Sequence, residues 1–429
     1  MNSDDPSSGN RLTRRRLLIG AGAAGAGIGL GAGGYLVGRD APDASEGPGT
    51  GRVDFHGTHQ AGIATPAQDR LQFAAFDLTI DDKKGLRDLL VSWTKAAERM
   101  VNGDPTGPQN TNAFAPPDDT GETVGLAASR LTITFGFGPT LFGFGEDNRA
   151  DDRFGLAAQR PALLKPLPYL PNDQLAAARS GGDICVQACS DDPQVAFHAI
   201  RNLARIGRGK VVMRWSQLGF GRTASTSKAQ APPRNLVGFK DGTANIKAED
   251  TAAMNDFVWL PDDEPEPWMR GGTYLVTRRI RMLLEIWDRA ALNDQEATIG
   301  RQKGSGAPLG ASDEFDDLPL GEKKAGLPVI PIDAHVRLAS PDVNKGEKLL
   351  RRGYSFTDGV DESLGTLDAG LFFIAFQRDP IKQFFAIQQR LGRNDALNEY
   401  IKHVASGVFA IPRGVQAGEY VGQELFESA

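Results

Sequence analysis

The chain has 429 residues, with 54 acidic and 48 basic side chains and a formal net charge of -6. This length predicts two or three domains, and a hydrophobic content of 40% is typical of a globular protein. Because acidic residues are in excess and the only dense basic tract is N-terminal, the composition argues against nucleic-acid binding. The two cysteines, Cys185 and Cys189, are spaced along a strand pattern beyond disulfide reach and predict small core residues.

The first 52 residues are predicted to be an export signal followed by a linker. Thr13-Arg14-Arg15-Arg16 precedes a weakly hydrophobic, Gly- and Ala-rich stretch that extends to about Val37. A basic head before such a stretch is typical of a signal peptide, and the paired arginines predict the twin-arginine export machinery as a partner. The expected location is therefore extracellular, periplasmic or in the cell envelope, with retention as a membrane anchor as the alternative. Because this route carries folded proteins, it also indicates a bound cofactor.

The remaining chain is predicted to contain two halves with the same order of elements, residues 53–225 and 226–429. In the first half, side-chain periodicity predicts strands at 76–80, 131–137, 184–189 and 211–218, and helices at 86–100 and 193–206. In the second half it predicts strands at 274–282, 350–356, 371–376 and 408–411, and helices at 283–292 and 380–391. His403 is placed on a further amphipathic helix. The order β-α-β-β-α-β predicts an α+β fold of two ferredoxin-like halves with antiparallel sheets.

Three short motifs in the second half could carry chemistry. In Gly238-Phe239-Lys240-Asp241-Gly242, two glycines hold a single acid in a turn, although alone this is an ordinary surface turn. His335 lies in the irregular segment 294–349, which is longer than a plain loop and predicts a functional insertion. Arg351 and Arg352 enter an apolar strand, where charge is costly unless one of them serves a site.

Taken together, these motifs resemble the dye-decolorising peroxidases, which are haem enzymes built from two ferredoxin-like halves. The resemblance covers the chain from about Phe55 to the C-terminus, and it is closest to the exported bacterial branch that includes deferrochelatase/peroxidase proteins. It implies one haem b per chain, bound in the C-terminal half. His335 matches the proximal ligand of the haem iron. Asp241 matches the distal acid and base, and Arg351 matches the distal arginine that stabilises developing charge.

The resemblance also implies how the edge of the haem is held. Gly242, Thr243 and Ala244 are expected along this edge, where little side-chain bulk fits. Members of the family often carry Asn-Pro-Arg a few residues beyond the proximal histidine, where the propionates are held, and Ser340-Pro341-Asp342 stands there in this chain. The candidates to replace the missing arginine are Arg301, Lys303 and Arg337.

The proximal histidine of a peroxidase is expected to donate its second N–H to a carboxylate. Asp379 is the candidate for this partner of His335. The alternative is that Asp379 is the N-cap of the helix that begins at Pro380.

The leading interpretation is a peroxidase that reduces hydrogen peroxide and oxidises aromatic or dye-like donors. Because an aspartate has a lower ordinary pKa than a histidine, Asp241 predicts highest activity under acidic conditions. The alternative is an exported haem- or iron-handling protein, a deferrochelatase or carrier, that uses the same pocket with little turnover. A haem-free binding protein on the same fold is a third interpretation. The sequence leaves the physiological donor and the oligomeric state open, a homo-oligomer being one alternative.

Overall fold

The computed structural model describes residues 51–108, 112–144 and 151–427. All of these residues belong to one compact unit, Glu46–Ala429. The predicted export signal and nearly all of the predicted linker lie outside the described residues. Within the described ranges, every helix is too short or too polar to cross a bilayer.

The first half is an antiparallel sheet covered by two helices. Its elements are β1 (Arg70–Leu78), α1 (Lys83–Val101), β2 (Thr132–Phe137), β3 (Ile184–Ser190), α2 (Pro193–Ile206) and β4 (Val211–Arg222). The strands lie in the order β2-β3-β1-β4. Both helices begin at an aspartate whose carboxylate accepts a backbone hydrogen bond, Asp82 from Gly85 and Asp192 from Gln194. Trp93 of α1 is fully buried against the sheet.

The second half repeats this arrangement with more irregular connections. Its strands are β5 (Thr273–Met282), β6 (Lys323–Lys324), β7 (Leu327–Pro328), β8 (Leu350–Arg351), β9 (Tyr354–Asp361), β10 (Thr366–Gln377) and β11 (Ile401–Ile411). Its helices are α3 (Thr251–Phe257), α4 (Leu284–Trp287), α5 (Leu292–Ile299), α6 (His335–Ala339), α7 (Ala386–Asn394) and α8 (Gln423–Glu427). The main strands lie in the order β11-β5-β10-β9. Read from β9 to β11, this is the same order as in the first half.

The two sheets join at both edges into a closed ring. β4 pairs with β9 through Phe220 and Ser355, and β2 pairs with β11 through Phe137 and Ala410. Inside the ring, aromatic side chains from both halves pack together, with the Phe73 and Phe372 ring centres 5.3 Å apart. The architecture agrees with the predicted class of two ferredoxin-like units. Because one sheet runs across the predicted boundary at residues 225 and 226, that boundary stays a prediction.

Several predicted elements differ from the structure. Of the helix predicted at 283–292, only Leu284–Trp287 and the first residue of α5 are helical. The strand predicted at 350–356 is interrupted at Arg352 and Gly353, between β8 and β9. The helix predicted at 380–391 begins as a π-helix, Ile381–Phe385, before α7. The placement of His403 on a helix is wrong, because Ile401–Ile411 is one strand in which buried and half-buried residues alternate at its start.

His403 belongs to a buried polar network on the sheet of the second half. Arg278 and Asp173 form an ion pair whose side chains are each 1% exposed. Nε of Arg278 donates to Nδ1 of His403 over 3.3 Å, and the side-chain amide of Gln388 lies 3.1 Å from Nε2. Burial, with a smaller effect of the Arg278 charge, lowers the pKa of His403 to about 3. The imidazole is therefore neutral in the folded protein at ordinary pH.

This burial predicts a specific loss of stability in acid. The ordinary pKa of the imidazole is 6.5, so between pH 6.5 and about 3 the unfolded chain binds a proton at His403 that the folded chain excludes. The free energy of unfolding should therefore fall as the pH decreases through this window. His403→Gln removes the titration and retains an acceptor for Arg278. We expect its unfolding free energy, measured in urea at a series of pH values, to decline less steeply.

A suitable control is His56→Gln, at a half-buried surface position where the histidine lies 3.7 Å from Glu98. The unfolding free energy of this control should decline with decreasing pH as steeply as that of the unmodified protein. If the unfolding free energies of the unmodified protein and the His403→Gln variant decline equally with decreasing pH, the prediction is contradicted.

Candidate functional site

A cavity of about 850 Å³ lies on the outer face of the sheet in the second half. Alternate residues of its strands line it, including Arg278 and Ile280 of β5 and Phe373 of β10, because every second strand side chain points to the same face. Helices α6 and α7, residues 235–245 and residues 314–318 supply most of the remaining lining. The volume is within the range of about 300–1,000 Å³ that is typical of ligand pockets.

The turn that carries Asp241 lines this cavity. Gly238 and Gly242 have φ angles of +86° and +77°, which favour glycine, and a Cβ on Gly242 would lie 2.9 Å from the Cα of Ala224. Oδ1 of Asp241 accepts a hydrogen bond from Nη1 of Arg351 over 2.8 Å. Oδ2 accepts one from Nδ2 of Asn235 over 3.2 Å. Both carboxylate oxygens are therefore held by side-chain donors.

The two adjacent arginines have separate partners. Arg351 reaches the cavity, whereas Arg352 is 1% exposed and does not line it. The guanidinium of Arg352 donates to the carbonyl oxygen of Thr65 and to the side chain of Gln68, both in the first half. Successive strand residues face opposite sides, so only one of the pair can serve the cavity. The structure therefore brings Arg351, and not Arg352, to Asp241.

His335, the first residue of α6, also faces the cavity. Its Nδ1 lies 2.6 Å from Oδ2 of Asp395, whose side chain is only 2% exposed. Because a carboxylate only accepts hydrogen bonds, this contact places the proton on Nδ1. Burial lowers the pKa of His335, but the charge and hydrogen bond of Asp395 outweigh it and raise the pKa above its ordinary value. Among the described residues, none forms a hydrogen bond with Nε2 of His335.

The expected partner of His335 was wrong. Asp379 caps the π-helix instead: its Oδ1 accepts hydrogen bonds from the N–H groups of Ile381 and Lys382, each over 2.9 Å. Asp395 also caps a short helix, because its Oδ1 accepts from the N–H of Leu397 over 2.9 Å. Its second oxygen remains free to meet His335. In the sequence the two aspartates give the same capping signal, and no spacing rule links either of them to the histidine.

The segments expected at the cofactor edge lie at the cavity. Gly242, Thr243 and Ala244 line it, as do Ser340 and Pro341. These contacts show only that the residues border the same space, and their role toward a cofactor stays a prediction.

Glu314 joins the turn to the insertion. The hydroxyl of Thr243 donates to Oε1 of Glu314 over 2.8 Å, and Nζ of Lys240 lies 3.3 Å from Oε2. In the sequence, the only signal for this acid is its place in the long insertion 294–349.

Of the three basic residues proposed to replace the missing arginine, only Arg301 lines the cavity. It is largely buried, and its Nη1 donates to the carbonyl oxygens of Gly306 and Glu314 over 2.7 and 2.9 Å. Burial lowers the pKa of Arg301 from its ordinary value. By contrast, Lys303 donates to Gln295, and Arg337 donates to backbone carbonyl groups of its own loop.

A second group of ligand-type side chains, Asp119, Glu122 and His198, lies outside the cavity. Nε2 of His198 is 2.9 Å from Asp119, which also accepts from the N–H groups of Thr106 and Gly121. Glu122 is paired with Arg201. Through these contacts the two carboxylates bind a surface loop to α2. The contacts explain why the three side chains lie together without an ion.

Two family models match the chain. The model of the Dyp-type peroxidase N-terminal region matches residues 60–221, and the model of the C-terminal region matches residues 232–416. Among curated proteins, the deferrochelatase of Escherichia coli O6:K15:H31 (strain 536) is 38% identical over 438 residues, which cover 99% of each chain.

Solved structures give the same result. A DyP-type peroxidase from Streptomyces coelicolor is 41% identical, with a TM-score of 0.80 over 88% of this chain and 98% of its own. Ferric DtpA from Streptomyces lividans is 40% identical, with a TM-score of 0.79 over 89% of this chain and 98% of its own. These matches confirm the predicted α+β fold of two ferredoxin-like units.

The cavity fits the cofactor of this family, which is haem. It offers largely apolar walls, an imidazole nitrogen without a hydrogen-bond partner among the described residues, and an acid–arginine pair. The predicted peroxidase activity is confirmed together with the family. By sequence match over most of its length and by its fold, the chain belongs to the Dyp-type peroxidases, oxidoreductases that act on peroxide.

Proposed function

We propose that His335, Asp241 and Arg351 carry the peroxidase reaction of this chain on aromatic or dye-like donors. The observation that supports this most directly is that all three side chains line one cavity, although they come from separate segments. When bound, haem supplies the iron that reduces hydrogen peroxide and is returned to its resting state by one-electron donors. The haem would be held by Nε2 of His335, with Arg301 as the candidate contact for a propionate.

In this proposal His335 would hold the haem iron through Nε2, and Asp395 would set the properties of the imidazole. A proton fixed on Nδ1 leaves the lone pair of Nε2 available to bind the iron. The buried carboxylate makes the imidazole a stronger donor, as a hydrogen-bonded acid does for metal-ligating histidines in general. The ring is also held at a fixed orientation, because Asp395 is itself anchored to the N–H of Leu397.

Asp241 would move the proton that peroxide cleavage requires. Its carboxylate would accept a proton from one oxygen of hydrogen peroxide and return it to the other. The O–O bond would break, and the second oxygen would leave as water, with the two electrons supplied by the haem. The guanidinium of Arg351 stabilises the negative charge that develops on the leaving oxygen. The contact between Asp241 and Arg351 holds both groups on the same side of the cavity before peroxide enters.

Asp241→Asn should remove the proton transfer while preserving the shape of the turn. We expect peroxide-dependent dye oxidation to fall about 10²-fold or more, with unchanged haem content. The unmodified protein should be most active below neutral pH. Steady-state rates across pH, with haem measured by its Soret absorbance, test both expectations.

Asp317→Asn is the matched control, because Asp317 also lines the cavity but is solvent-exposed. It should leave the rate within about twofold. Unchanged turnover in Asp241→Asn, or an activity optimum above neutrality, would refute the role proposed for Asp241.

Asp395→Asn tests the proximal contact, with Asp379→Asn as its control. Both substitutions keep a side-chain oxygen that can cap the helix, because asparagine caps as well as aspartate does, but only Asp395 contacts His335. We expect Asp395→Asn to weaken haem binding to the apoprotein about 10–100-fold and to raise the reduction potential of the iron. Equal haem affinities in the two variants would contradict the assignment.

The name of the Escherichia coli relative favours a second candidate function, the release of iron from haem in the same cavity. Iron release needs no distal acid that moves a proton on peroxide, so Asp241 and Arg351 favour the peroxidase. Incubation with haem separates the two functions: fluorescence of iron-free porphyrin without peroxide consumption would support iron release, whereas its absence alongside rapid dye oxidation would exclude it.

We further propose that the twin-arginine machinery exports the protein to the periplasm, cell envelope or medium. The support is the arginine pair ahead of a weakly hydrophobic stretch in the first 52 residues. Replacement of Arg14 and Arg15 by lysine should leave the haem-loaded protein in the cytoplasm, whereas Arg16→Lys alone should have a smaller effect. Fractionation of a producing strain measures both, and export that is unaffected by the double substitution would exclude this route.

A further inference from the structure

We propose that Asn245 is a positioning residue that holds Arg351 in reach of Asp241. The proposal rests on the function proposed above for Arg351, and it concerns a residue that none of the three motifs includes. Asn245 borders the cavity, but only 6% of its surface is exposed. Its effect on the reaction would therefore be exerted through the backbone of Arg351.

The side-chain amide of Asn245 binds both backbone polar groups of Arg351. Its Oδ1 accepts a hydrogen bond from the N–H of Arg351 over 2.8 Å, and its Nδ2 donates to the carbonyl oxygen of Arg351 over 2.9 Å. The second N–H of the amide donates to the carbonyl oxygen of Ser225 over 3.0 Å. One amide thus satisfies three backbone groups and has no remaining donor.

This contact supplies a strand pairing that β8 lacks. β8 has two residues and continues the line of β9 along β10, which is its one neighbouring strand among the described residues. In an antiparallel strand the N–H and C=O of one residue point to the same side. The N–H of Arg352 donates to Ile374 of β10, so the polar groups of Arg351 point away from β10. Without Asn245 they would be unpaired at a half-buried edge.

The same residue belongs to the segment that carries the acid. Asn245 lies four residues after Asp241, and its N–H donates to the carbonyl oxygen of Gly242 over 3.1 Å. It therefore ties the turn of Asp241 directly to the strand of Arg351. An arginine side chain has many rotamers, and only some of them bring Nη1 to Asp241. Which rotamers do so depends on where the backbone of Arg351 is held.

The test compares Asn245→Ala with Asn202→Ala in the haem-loaded protein. Asn202 is a matched control in α2 of the first half: it is also buried, and its amide donates to Thr120 and to the carbonyl oxygen of His198. Both variants should lower the melting temperature. Only Asn245→Ala should slow the stopped-flow reaction with peroxide, by about 10-fold or more, with full haem content.

Coupling to Arg351 distinguishes positioning from a general structural effect. If Asn245 acts through Arg351, the double variant Asn245→Ala/Arg351→Leu should react no more slowly than Arg351→Leu alone. A crystal structure of the haem-free Asn245→Ala protein should show Nη1 of Arg351 beyond hydrogen-bond distance of Asp241. Asn245→Asp, which keeps the shape but loses both amide donors, provides the same readouts if the alanine variant does not fold.

An unchanged rate with Arg351 still beside Asp241 would overturn the proposal, as would additive effects of the two substitutions. A different outcome identifies failure of the proposed function: if Arg351→Leu alone leaves the peroxide reaction unchanged, the role of Arg351 is wrong. The haem-free structure would then still decide whether Asn245 positions the arginine.

Discussion

The organisation of this protein follows from the need to pair the charges that are withdrawn from water around an apolar cavity. A charge removed from water costs several kcal/mol unless a partner and hydrogen bonds compensate. Here each partner comes from a distant part of the chain: 60 residues separate His335 from Asp395, 110 separate Asp241 from Arg351, and 105 separate Arg278 from Asp173. The pairs therefore form only when the sheet has brought those segments together, so the site and the fold are completed in the same step.

Local patterns predicted most of the regular elements. The alternation of apolar residues located β2 and β3 within about a residue, and the capping aspartate and first-turn proline marked the start of α2. The sequence also identified the three motif residues that meet at the cavity. For Asp241 the signal was local, because its turn depends on nearby glycines. In each of these cases the physical cause of the signal lies within a few residues along the chain.

The errors arose where the cause is distant. Asp379 and Asp395 have the same local chemistry, since both cap short helices, and only the fold decides which of them meets His335. The first residues of β11 carry a mixed polar pattern because they border a buried ion pair, and a helical period was assigned to them instead. Asn245 gave no signal for a similar reason, because its partner is a backbone 106 residues away.

The closed ring of strands also bears on how this protein can be made. β11 pairs with β5 along nearly its whole length and touches β2, so the last strand of the chain completes the ring that the first half begins. Non-local pairings of this kind form slowly, because a long loop must close before any contact stabilises it. A nascent chain on the ribosome would expose the open edges of β2 and β5 until residue 411 has emerged. Folding intermediates with unpaired edges are prone to aggregation, so chaperone binding during synthesis would protect this chain at its most vulnerable stage.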